Sequence, residues 1–123
     1  MNKTHIQILK DIKEEREKFF ENYKDYVLII KRKAEKILKD VKIIVFGSIV
    51  KGNWHPLLSD IDILIISDEI PDDLEKRRII KHKIKSILPP FNPFQIHLAT
   101  RKEYENYYKK FIKENQQSSG NTR

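Results

Sequence analysis

Cysteine is absent from the 123 residues, so disulfide staples and thiolate metal sites are excluded, and any metal must be held by oxygen, with imidazole as the nitrogen option. No apolar run approaches the roughly 20 residues of a membrane-spanning helix. The N-terminal MNKTHIQILKD is polar and carries acids, which gives it neither a secretory apolar region nor a transit-peptide composition. The expectation is a cytoplasmic protein with no membrane partner. No internal repeat is present, and the length suits one domain with a modest core, too short for a catalytic domain plus a separate acceptor domain.

With 35% charged and 39% apolar residues the chain is globular in composition. Its net charge of +7 favours anionic partners such as nucleotides, RNA or an acidic protein. The lysines are interleaved with glutamates, however, and a solvated surface accounts for such a pattern equally simply.

Apolar positions in 4–38 recur at three, four or seven residues (Ile6, Leu9, Ile12, Phe19, Tyr23, Val27, Ile30, Ala34, Ile37), which predicts a long amphipathic helix that admits one break. Such a helix exceeds what a small sheet covers, so part of its apolar face is expected to meet another chain. Residues 41–46 predict a short strand ending at Gly47-Ser48, and 60–66 a second, central one. Pro71-Asp72-Asp73 opens a helix that Pro89-Pro90 stops, with Leu74, Ile80, Ile84, Ile87 and Leu88 as its apolar positions and a basic stretch from Lys76 to Lys85. Phe94 to Thr100 alternates as a third strand, and a tyrosine-bearing helix follows over 101–113. The stretch from Asn115 reads as a polar, disordered tail. The fold class is α+β, a small mixed sheet of three or four strands with helices packed on one side.

Gly47-Ser48, separated by eleven residues from Asp60-Ile61-Asp62, is the most informative stretch. Glycine lets backbone N–H groups approach a phosphate and serine adds a hydroxyl, while Lys51 lies one turn further on. Aspartates at i and i+2 of a strand share a face and can share a divalent cation, with Ile61 directed into the core. The hard carboxylate oxygens suit Mg²⁺ completed by substrate phosphates and water. Unpaired carboxylates buried inside an isoleucine-rich strand would otherwise be costly. The purely structural alternatives are a turn cap for Asp60, a helix cap for Ser48 and a solvated charge for Lys51.

Phe46-Gly47-Ser48, Lys51-Gly52 and Ser59-Asp60-Ile61-Asp62 together resemble the signature of the polymerase-beta-type nucleotidyltransferase superfamily, and in particular its small, single-domain minimal nucleotidyltransferases. The resemblance spans about 40–100 and implies a polymerase-beta palm-like fold, with 1–114 as a single nucleotidyltransferase domain. It also implies transfer of a nucleoside monophosphate, AMP from ATP, to a hydroxyl on a protein or RNA with two Mg²⁺ ions. Gly47, Ser48, Lys51 and Ser59 would grip phosphates, Asp60 and Asp62 would bind metal and act in catalysis, and the third catalytic position falls on Gln95. Small members of this type pair with a helical HEPN-domain protein as its antitoxin, and a homo-oligomer is the other expected assembly.

Gln95 departs from the carboxylate that the resemblance implies. Its amide oxygen can coordinate Mg²⁺ but is neutral and cannot take a proton, so the second metal site is the weaker one. His97, two residues on along the same face, is read as a histidine hydrogen-bonded at the sheet edge, and His55 beside Trp54 as a loop-packing residue. Two functions follow: an Mg²⁺-dependent transferase, or a nucleotide- or protein-binding module that has lost transfer through Gln95. RNA binding through Lys76 to Lys85 is a third.

Overall fold

The computed structural model describes residues 4–117, with side chains through 113. Residues 118–123, most of the expected polar tail, lie outside the described residues.

The N-terminal periodicity resolves into two helices, α1 (His5–Glu21) and α2 (Tyr23–Ile37). The break falls at Asn22, whose backbone N–H and side-chain amide both donate to the Lys18 carbonyl. A side chain that satisfies the helix end itself competes with continued winding. Only the last turn of α1 is buried, through Phe19 and Phe20, so Ile6, Ile8 and Leu9 stand in solvent.

Three strands follow: β1 (Lys42–Phe46), β2 (Ile61–Ile66) and β3 (Phe94–Ala99). Their order is β1-β2-β3, with β1 antiparallel and β3 parallel to β2, so the sheet is mixed and three-stranded. The β2 to β3 connection carries α4 (Leu74–Lys85), as a parallel pair requires. The helix opens after Pro71-Asp72-Asp73 as expected, and Asp73 caps it by accepting the N–H groups of Glu75 and Lys76. The helix ends at Lys85, short of the double proline, and Leu74 at its mouth is 81% exposed rather than part of the core.

Alternation along the strands sorts side chains onto two faces. Ile61, Ile63, Ile65, Phe94, Ile96 and Leu98 meet Phe19, Ile30, Ala34 and Ile84 from α1, α2 and α4. The opposite face gathers Phe46, Leu64, Ile66 and Ala99 beneath Ile112, Tyr104 and Tyr108. Helices therefore cover both faces, which corrects the expectation of one-sided packing. The second cover is the C-terminal helix, in which α5 (Arg101–Glu103) and α6 (Lys109–Gln117) flank a π-helical turn, Tyr104–Tyr108. It runs to Gln117, beyond the expected end at 113.

Arg77 of α4 binds the C-terminal helix across the free edge of β3. Its Nη2 donates to both carboxylate oxygens of Glu103 at 3.0 and 3.1 Å, and its Nε to the Pro71 carbonyl. Glu103 also accepts the Thr100 backbone N–H in a reciprocal capping box. That backbone bond first, and the Arg77 guanidinium beside it, hold the Glu103 carboxyl below its usual range. A carboxyl depressed in the folded state stabilises the fold above the unfolded pKa, near 4.5, and loses that contribution as pH falls through the lower folded value. Glu103→Gln is expected to unfold at lower urea than the parent at neutral pH. The difference between the two should shrink steadily below the unfolded pKa.

Candidate functional site

β1 ends at Phe46, and Gly47 turns the chain into the single-turn helix α3 (Ser48–Lys51). Gly47 has φ 92° and ψ −157°, a region open to glycine almost alone. A Cβ added there would lie 2.6 Å from Asp62 Oδ2. The turn and the carboxylate are thus in direct apposition, and glycine is required both for the backbone and for the approach. The N–H groups of Ser48 and Ile49 belong to the first turn, where no intrahelical acceptor exists for them.

Asp62 lies opposite Phe46 on one side and Gln95 on the other. Its Oδ1 is 3.2 Å from His97 Nε2. His97, on the edge strand β3, is thus hydrogen-bonded as its position in the sequence suggests, and its partner is the Asp62 carboxylate. Gln95 is exposed beside it, on the face that Ile112 and the tyrosines leave open at this end of the sheet.

Asp60 stands one residue before β2, not within it, and its carboxylate is 52% exposed against 29% for Asp62. Both reach solvent, so the burial cost expected from the sequence does not arise. Asp60 Oδ1 is 3.9 Å from Nη2 of Arg16 in α1. Arg16 also donates through Nε to the Pro56 carbonyl at 2.6 Å and through Nη2 to the Ser59 carbonyl at 2.7 Å. One guanidinium thus fixes the loop that delivers Asp60. This residue was missed in the sequence, where it is one basic group in a helix rich in them.

Within that loop Ser59 Oγ accepts the His55 N–H at 2.7 Å, and His55 Nδ1 accepts the Leu57 N–H at 3.1 Å. Trp54 stacks on Phe20 with ring centroids 4.6 Å apart. His55 and Trp54 are loop-packing groups, as their sequence context suggests. Lys51 closes α3, half-buried, one turn beyond Ser48.

Among the described residues no three His, Asp or Glu side chains form a cation-binding group. The oxygens of Asp62, of Gln95 opposite it and of Asp60 two residues earlier are hard donors of the chemical kind Mg²⁺ takes. They do not supply the third carboxylate of a two-metal site.

A family model described as nucleotidyltransferase domain matches residues 27–118. No curated protein and no solved structure matches the chain significantly. Also, among the described residues no helix is long and apolar enough to cross a membrane.

Gly47→Ala is expected to cost about 1–3 kcal/mol of stability in urea unfolding, from the backbone region alone. Arg16→Lys keeps the charge and loses the fork that grips two carbonyls. It should speed amide exchange over 53–60 while leaving α2 protected.

Proposed function

The chain belongs to the nucleotidyltransferase domain family, and from that premise we propose that it transfers AMP from ATP to a hydroxyl, in a reaction dependent on Mg²⁺. The observation that carries this is the apposition of the Gly47 turn and Asp62, with Gln95 directly opposite Asp62 in the sheet. Ser48 and the first N–H groups of α3 would receive the outer phosphates, and Lys51 would meet them from the next turn. Asp62, Asp60 and the Gln95 amide oxygen would hold Mg²⁺, which when bound supplies charge to offset that on the leaving pyrophosphate. His97 holds one Asp62 oxygen, leaving Oδ2 turned toward Gly47. Arg16 keeps Asp60 and its loop at the edge of the site, and the Ser59 hydroxyl keeps the loop closed.

A weakened or inactive nucleotide-binding module is the second reading, favoured by Gln95 at the register position opposite Asp62. In either case a helical partner of HEPN type, with this chain as its antitoxin, or a second copy of the chain, fits the apolar side chains left exposed at Ile6, Leu9, Leu28 and Ile29.

Calorimetry of ATP with Mg²⁺ tests the site. Binding should be measurable for the parent and weakened by about tenfold or more in Asp62→Asn, a loss of at least 1.4 kcal/mol. No binding to the folded parent would remove the nucleotide site. Gln95→Glu separates the two readings: a damaged transferase gains turnover of labelled ATP, whereas a binding module gains none.

A further inference from the structure

The C-terminal helix carries two exposed aromatic rings four residues apart, Tyr107 at 72% and Phe111 at 52% exposure. Phe111 meets the site through Phe46: the two rings stand at 85° with centroids 6.2 Å apart. Phe46 is itself buried, precedes Gly47, pairs with Asp62 across the sheet and lies 5.5 Å from the His97 ring. One turn back on the same helix, Tyr108 lines a cavity of about 400 Å³ together with His97, Arg77 and Lys81. The helix thus borders the site from His97 toward the Gly47 turn, and Phe111 is its aromatic ring at the Gly47 end. The helix residues around Phe111, namely Lys109, Lys110 and Lys113, are charged and exposed. Two rings among lysines make an apolar area smaller than the contiguous patch, on the order of several hundred Å², that marks a protein-docking face. They match a small, flat and anionic occupant instead.

Resting on the nucleotide-site reading above, we propose that Phe111 is the platform on which the base of the bound nucleoside triphosphate stacks, and that this ring makes the site prefer a purine to a pyrimidine. Phosphates received at the Gly47 turn fix one end of the nucleotide, and Phe111 stands one ring away from that turn, beyond Phe46. The near-perpendicular contact with buried Phe46 sets the orientation of the Phe111 ring before any ligand arrives. Every base has a π face, so stacking is tolerant of base identity, and its strength grows with the ring area covered. The contact therefore separates bases by size: the two fused rings of a purine gain more from Phe111 than the single ring of a pyrimidine.

Calorimetry on the full chain with Mg²⁺ compares ATP, CTP and inorganic triphosphate, which has the phosphates and no base. ATP is expected to bind about fivefold or more tightly than triphosphate, with CTP between the two. Phe111→Leu should remove that margin and leave the affinity for triphosphate unaltered. Phe111→Trp should keep ATP tight, and the indole emission it adds should be quenched by ATP and not by triphosphate. Triphosphate reports on the phosphate and metal groups alone, so it separates the two levels. If triphosphate binds and ATP binds no tighter, if Phe111→Leu keeps the preference for ATP, or if that variant weakens both ligands equally, the platform falls and the nucleotide-site reading stands. If neither ligand binds the folded chain, that reading falls and the platform with it.

Discussion

The register of β2 between its two neighbours is the constraint on which the rest depends. Ile61, Ile63 and Ile65 are fully buried on one face, while Asp62 faces the other, opposite Phe46 and Gln95. A slip of one residue would drive Asp62 into the apolar core and bring the isoleucines out, so the hydrophobic pattern that stabilises the sheet also fixes where the chemistry sits. The same pairing brings the end of β1, and hence the Gly47 turn, against the Asp62 carboxylate.

Unequal cover of the two faces then decides what is accessible. Three helices bury the first face along its length. The C-terminal helix covers the second only over Phe46, Leu64, Ile66 and Ala99. Asp62, Gln95 and His97 share that face and stay partly open to solvent on the side of the edge strand β3, where strand backbone holds their spacing. Tyr108 serves both the packed cluster and the adjoining pocket, so the same helix that seals half the face also walls the crevice beside His97.

Much of this was legible along the chain. The three strands, the helix opening at Pro71-Asp72-Asp73 and the turn-and-aspartate motif are local signals, written in residues that neighbour one another. The resemblance pointed to Gln95 as the third position of the motif, and the register sets it opposite Asp62, a pairing that only the sheet decides. Arg16 was not legible: its partners Pro56, Ser59 and Asp60 lie about forty residues away, and no periodicity marks the contact. The exposure of both aspartates was misjudged for a related reason. An isoleucine-rich strand implies burial on both faces, but the extent of the second cover depends on where a distant helix docks.

By itself, the sequence determined the main strands and helices, the α+β class and the glycine that the turn demands. These follow from backbone sterics and short-range periodicity, which need no knowledge of the remaining chain. Only the tertiary structure decided that helices lie on both faces, that Asp62 hydrogen-bonds to His97, that Arg16 anchors the Asp60 loop, and that Lys81 and Tyr108 line a cavity together with His97. Those outcomes rest on contacts between segments remote in sequence, and their geometry exists only once the core has packed.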